Sequence, residues 1–116
     1  MIRDVQQSAG DRQPSAIHRI RAQASAGQVR VSQHAGEEMV AEGITLAEVY
    51  DAIASGAVLE DYPEHRRGPC CLLHGVTSAG RDLHVVCTTG ASVLVFIIVY
   101  EPVPPKWVTP KKRGRP

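Results

Sequence analysis

Gly80-Arg81-Asp82-Leu83-His84-Val85-Val86-Cys87, a turn at Thr89-Gly90-Ala91, and then Val93-Leu94-Val95-Phe96-Ile97-Ile98-Val99-Tyr100-Glu101-Pro102 decide how this chain folds. In the first run Leu83, Val85 and Cys87 share one face of a strand, while His84, Val86 and Thr88 share the other. The second run is apolar on both faces, as a strand covered from two sides must be, and it ends on a tyrosine just before Pro102 breaks it. Joined by a short turn, the two read as an antiparallel pair. A lone histidine in such a strand is costly unless it is hydrogen-bonded or used in chemistry.

Working outward, Thr77-Ser78-Ala79-Gly80 turns a strand at Cys70–Val76 into the first run, and the polar loop Pro63–Pro69 precedes it. Ala57–Tyr62 alternates again and reads as one more strand. Upstream of Gly56 the period changes to that of helices. Thr45-Leu46-Ala47-Glu48 is a capping box, with Ile44 and Val49 as its hydrophobic staple, so a helix begins there and buries Leu46, Val49 and Ile53. Ser32 caps an earlier helix that turns Ala35, Met39 and Val40 inward and ends at Gly43. Ile17, Ile20 and Ala24 lie on one face of a helix starting at Pro14 or Ser15, with Gly27 as its C′ residue. Val29–Val31 reads as a short strand or an extended link. The expected architecture is α+β: N-terminal helices packed on a four-stranded, mainly antiparallel sheet. Residues 1–13 read as a leader, 14–107 as a single domain and 108–116 as a basic tail.

At 116 residues the chain can bury a core without metal or disulfides. No apolar run reaches the roughly 20 residues of a membrane span, and Met1–Gln13 has no signal-peptide h-region. Three cysteines, two of them adjacent, make a disulfide framework a poor reading and point to a reducing cytoplasm. The formal charge of +1 hides an asymmetry. The first hundred residues carry eight basic and eleven acidic side chains, while residues 101–116 carry five basic side chains against Glu101. A general polyanion-binding surface is excluded, and nucleic-acid contact must be local or rest on the tail.

The candidate chemistry centres on histidine. His84 reads either as a half-buried sheet residue bonded to a neighbour or as a general acid/base titrating near neutrality. His34, in the first turn of its helix, tends to stay neutral there, as an acceptor or base, or else bridges helix to sheet. Tyr100 can bury its ring while its hydroxyl reaches a rim. Arg66 and Arg67 suit phosphate, because the guanidinium fork donates two bonds at once, or else they are solvated loop residues. Cys71-x-x-His74 and His84-x-x-Cys87 mimic zinc-ligand spacing, but residues three apart on a strand face opposite ways, so no metal or other cofactor is expected. Arg113-Gly114-Arg115-Pro116, flanked by lysines, resembles an AT-hook core, which lies in narrow A·T minor grooves; the plainer reading is a solvated basic end with weak affinity for DNA backbones.

His34-Ala35, the run Met39–Thr45, Gly56, Tyr62, Gly75, Leu83-His84-Val85-Val86, and Val99-Tyr100-x-Pro102 with Trp107 together resemble the small bacterial family known as domain of unknown function 4258. The resemblance spans about residues 15–107. It implies a fold related to RelE- and MqsR-like messenger-RNA-cleaving toxins, and a partner antitoxin of zinc-ribbon or helix-turn-helix type. His34, His84 and Tyr100 match the family's recurrent polar positions. Where this chain has Glu38 and Glu42, the family usually carries arginines.

The expectation is therefore a metal-independent endoribonuclease toxin. His84 would serve as base or acid with His34 or Tyr100, and Arg66, Arg67 and Lys106 would bind the phosphate. The alternative is a non-catalytic protein-binding module with a basic, nucleic-acid-contacting tail. Aromatic residues are scarce, which leaves little surface for stacking bases.

Overall fold

The computed structural model describes residues 15–66 and 68–114. Three helices, α1 (Ala16–Ser25), α2 (Gln33–Glu42) and α3 (Leu46–Ser55), are interleaved with and followed by strands β1 (Val29–Val31), β2 (Ala57–Tyr62), β3 (Cys70–Val76), β4 (Asp82–Thr88), β5 (Leu94–Tyr100), β6 (Trp107–Thr109) and β7 (Lys112–Arg113). The sheet order is β1-β5-β4-β3-β2, and β6-β7 form a separate hairpin. β2 to β5 make the expected antiparallel meander. The main sheet is nevertheless five-stranded and mixed, because β1 pairs in parallel with β5, Val29 opposite Leu94 and Val31 opposite Phe96. Three residues are too few to declare a strand by alternation; β1 exists because β5 offers it an edge.

The helix ends follow the sequence. Ser32 accepts the Ala35 N–H at 3.1 Å, and Gly43 closes α2 in the left-handed conformation at φ 66°. Thr45 and Glu48 complete the reciprocal capping box. All three helices cover one face of the sheet. Ile20, Ala35, Met39, Val49, Ala52 and Ile53 pack there against Cys71, Leu73, Leu83, Val85, Cys87, Leu94, Phe96 and Val99. Full burial of a side chain such as Ile53 contributes about 1.5–3 kcal/mol.

Two expected core positions are not in the core: Val40 is 86% exposed and Leu46 38%. Val40 follows Met39 and lies outside the narrow stripe that α2 turns to the sheet. Leu46 opens α3, where Val49, Ala52 and Ile53 carry the packing. A bulge in β5 against β4 changes the alternation, so that Phe96 and Val99, three apart, both enter the core. Residues 108–114 are mostly exposed but not irregular, and Arg115 and Pro116 of the AT-hook-like run lie outside the described residues. The chain folds back after Trp107 as the β6-β7 hairpin, and the Gly114 N–H returns to the Lys106 carbonyl at 2.7 Å. Residues 1–13 lie outside the described residues. Among the described residues no helix is long and apolar enough to cross a membrane.

α3 lies almost in contact with the backbone of β3. A Cβ built on Gly75 would sit 1.9 Å from the Ala52 carbonyl oxygen. Gly75→Ala must push the helix off the sheet, with an expected loss of about 3 kcal/mol or more. Urea denaturation of the variant checks this; an unchanged midpoint would mean that α3 can retreat at no cost.

Candidate functional site

The sheet face opposite the helices carries the polar residues. Register places Cys71 opposite Cys87 and His74 opposite His84. The two cysteines belong to the core and the two histidines to the other face, so the zinc-like spacing does not converge.

His84 is fully buried. Its Nε2 lies 2.6 Å from the Pro110 carbonyl oxygen and its Nδ1 lies 3.0 Å from the Tyr100 hydroxyl. A carbonyl only accepts, so Nε2 carries the proton. Nδ1 of a neutral ring is then an acceptor, and the Tyr100 hydroxyl donates to it. The Tyr100 oxygen in turn accepts the Trp107 indole N–H at 3.1 Å. Burial holds the His84 pKa below its ordinary value, only partly opposed by the Pro110 bond, and this keeps the ring neutral. The Trp107 ring stands edge-on to His84 at 4.3 Å between centroids, which makes the hairpin the roof of this histidine. His74 beside it bonds through Nε2 to Asp82 at 2.8 Å.

The hairpin is pinned from its far side. The Arg113 guanidinium grips both Glu60 oxygens, at 2.6 and 2.7 Å, and lies 4.7 Å over the Trp107 ring. Tyr62 also donates to Glu60. These contacts, the Arg113 bond first, hold the Glu60 carboxyl down at about 2, while burial and the Glu60 bond push the Tyr62 hydroxyl up to about 12.

Beside this roof opens a groove of about 520 Å³. Leu72, Val86 and Ile98 are apolar walls; Tyr62, Tyr100 and Trp107 are aromatic ones; His34, Glu38, Glu42, Glu101, Lys106 and Arg113 supply charge and hydrogen bonds. His34, Tyr100 and Lys106 thus share one groove. His84 lies behind Tyr100 and reaches the groove only through it. Arg66 is exposed on the 63–69 loop and is not among the lining residues, and Arg67 lies outside the described residues.

Sequence reasoning missed the roles of Glu38 and Glu42. β1 pairs with β5 only as far as Phe96, which leaves later backbone donors of β5 unpaired. Glu38 accepts the Val99 N–H at 3.1 Å, and Glu42 accepts the Glu101 N–H at 2.9 Å. Two carboxylates one helical turn apart, facing a strand edge, finish its hydrogen bonding. Their i,i+4 spacing on the inner side of α2 was the available signal. Glu60 with Tyr62, two apart on one strand face, was another; nothing local pointed to Arg113.

A family model described as Domain of unknown function (DUF4258) matches residues 31–101. The chain belongs to this family. The DUF4258 match takes in α2, α3, all of β2 to β5, and Tyr100 and His84, but ends before Trp107, Pro110 and Arg113. The roof over His84 therefore comes from residues beyond the matched span. No curated protein and no solved structure matches the chain.

The buried neutral imidazole has a thermodynamic consequence. Its pKa in the fold lies below the unfolded value of about 6.5, so the unfolded chain takes up a proton that the fold refuses. Stability should be full above about pH 6.5 and fall as pH drops below it. Glu60 should add a second loss as pH falls from 4.5 towards about 2. Urea midpoints across this range in wild type and His84→Leu check it: the first step should vanish in the variant, and a flat wild-type profile between pH 7 and 5 would contradict the neutral assignment.

Proposed function

We propose that this domain is a metal-independent endoribonuclease acting as the toxin of a toxin–antitoxin module. The observation that carries the reading is the meeting of His34, Tyr100 and Lys106 in one groove, with Tyr100 held from behind by His84 and Trp107. RNA can cut itself when its 2′-hydroxyl attacks the neighbouring phosphorus and the 5′-oxygen leaves, giving a 2′,3′-cyclic phosphate and a free 5′-hydroxyl. The protein must take one proton, give one proton and balance the phosphorane charge.

In this reading His34, 65% exposed in its side chain and 3.6 Å from Glu38, takes the 2′-hydroxyl proton. Burial raises the Tyr100 pKa, so its hydroxyl keeps its proton; in this reading that proton turns from His84 Nδ1 to the leaving oxygen as cleavage proceeds, and the indole N–H of Trp107 steadies the resulting phenolate. Lys106, its ammonium 6.0 Å from the centre of the Tyr100 ring, meets the phosphate. In this reading His84 is a positioning residue. On the same reading RNA is the substrate, and the protein partner is an antitoxin, as the resemblance to the family implies.

A second reading, a non-catalytic protein-binding module, is favoured by the carboxylates of Glu38, Glu42 and Glu101 at the groove, which repel phosphate. The two separate cleanly. Purified protein should cut RNA in the presence of EDTA and leave 2′,3′-cyclic phosphate ends. Tyr100→Phe and His34→Ala should each slow cutting by about 100-fold or more. Wild type that neither cuts RNA nor arrests growth on induction would sink the enzyme and leave the module.

A further inference from the structure

We infer that the groove beside Tyr100 is a pocket for one guanine base, whose attached phosphate meets Lys106. This deepens the ribonuclease reading by naming the base its substrate presents.

The first support is where the aromatic rings lie. The chain has only five Phe, Trp and Tyr residues in 116, and three of them, Tyr62, Tyr100 and Trp107, line this groove. Leu72, Val86 and Ile98 continue the apolar wall. Trp107 is only 2% exposed, with His84 at its edge and Arg113 over its face, so it serves as a wall. The half-buried Tyr62 and Tyr100 are the rings left to meet a ligand. A planar, π-faced ligand fits such a lining, and bases stack on aromatic side chains whatever their identity.

Selectivity comes from the acids. Glu38 spends one oxygen on the Val99 N–H of β5 and Glu42 one on the Glu101 N–H just beyond it, which fixes both carboxylates at the groove. The second Glu42 oxygen has no hydrogen-bond partner among the described residues. A carboxylate oxygen accepts and never donates. Guanine alone of the four RNA bases presents two adjacent donors, N1–H and the 2-amino group, on its Watson–Crick edge. Uracil flanks its single donor with carbonyls, and adenine and cytosine set a ring acceptor beside the amino group. An acceptor-only rim therefore attracts guanine and repels uracil most. The same carboxylates disfavour phosphate beside them and leave Lys106 as its cation, and Lys106 has no carboxylate partner among the described residues.

Isothermal titration of the full chain with GMP, AMP, CMP and UMP in EDTA tests this. GMP should bind about tenfold or more tighter than UMP, the low end of what one well-placed base contact discriminates. Glu42→Gln keeps an amide oxygen for the Glu101 N–H, so it should melt like wild type yet lose the preference for GMP. Lys106→Gln should weaken all four nucleotides alike. Equal affinities, no binding at millimolar nucleotide, or Glu42→Gln with its preference intact would each overturn the assignment. So would binding of N-acetylarginine amide in place of GMP, which would mark a seat for a basic side chain of a protein. GMP preference without RNA cleavage would defeat the enzyme and leave the pocket standing; cleavage without guanine preference would do the reverse.

Discussion

A neutral imidazole has one proton to give and one lone pair to fill. Sealed from water, it needs a partner for each. That requirement at His84 organises the far face of the sheet. Pro110 supplies the acceptor and Tyr100 the donor; the Tyr100 oxygen, having given its proton, takes one from Trp107. The direction of every bond in the chain is settled by the one member that cannot donate, a proline carbonyl. The hairpin is thus part of the sheet's hydrogen-bond accounting. Arg113 on Glu60 holds it down from the side opposite to the histidine.

Several other described charges also serve the backbone. Arg21 donates to the Ile53 and Gly56 carbonyls at the end of α3. Arg81 does the same for Glu42 and Gly43 at the end of α2 and pairs with Glu101. Cations suit helix C-termini, where unpaired carbonyls gather. Glu38 and Glu42 play the mirrored part for strand donors. Glu38 and Glu42 are therefore committed to architecture, which places the burden of any phosphate contact on Lys106.

What could be read in the sequence was what repeats locally. The capping box at Thr45, the Ser32 cap, the glycine stops and the alternation of β3 and β4 all depend on neighbours a few residues away, and they lie where expected. His34 at a helix start and Tyr100 at a strand end stand out by position and by the family resemblance, Lys106 by its charge, and the fold brings all three to one groove. The rest depends on distant partners. β1 needs the edge of β5, the bulge that sends both Phe96 and Val99 inward has no local signature, and a Pro- and Lys-rich tail looks like coil until His84 and Glu60 claim it. The burial of His84 itself was open between two readings, because a strand's period assigns a face but does not say what covers it.

The two glutamates of α2 have a consequence for how this protein meets other chains. A sheet border with free N–H groups is a template for a further strand, whether from a partner, a second copy or an aggregate. Here one border ends in a strand of three residues, and beyond it the donors of β5 are already taken by side chains that carry negative charge. An incoming backbone would find its hydrogen bonds spent and its own carbonyls repelled. Beyond the three residues of β1, that border is thereby closed to strand addition by side chains alone.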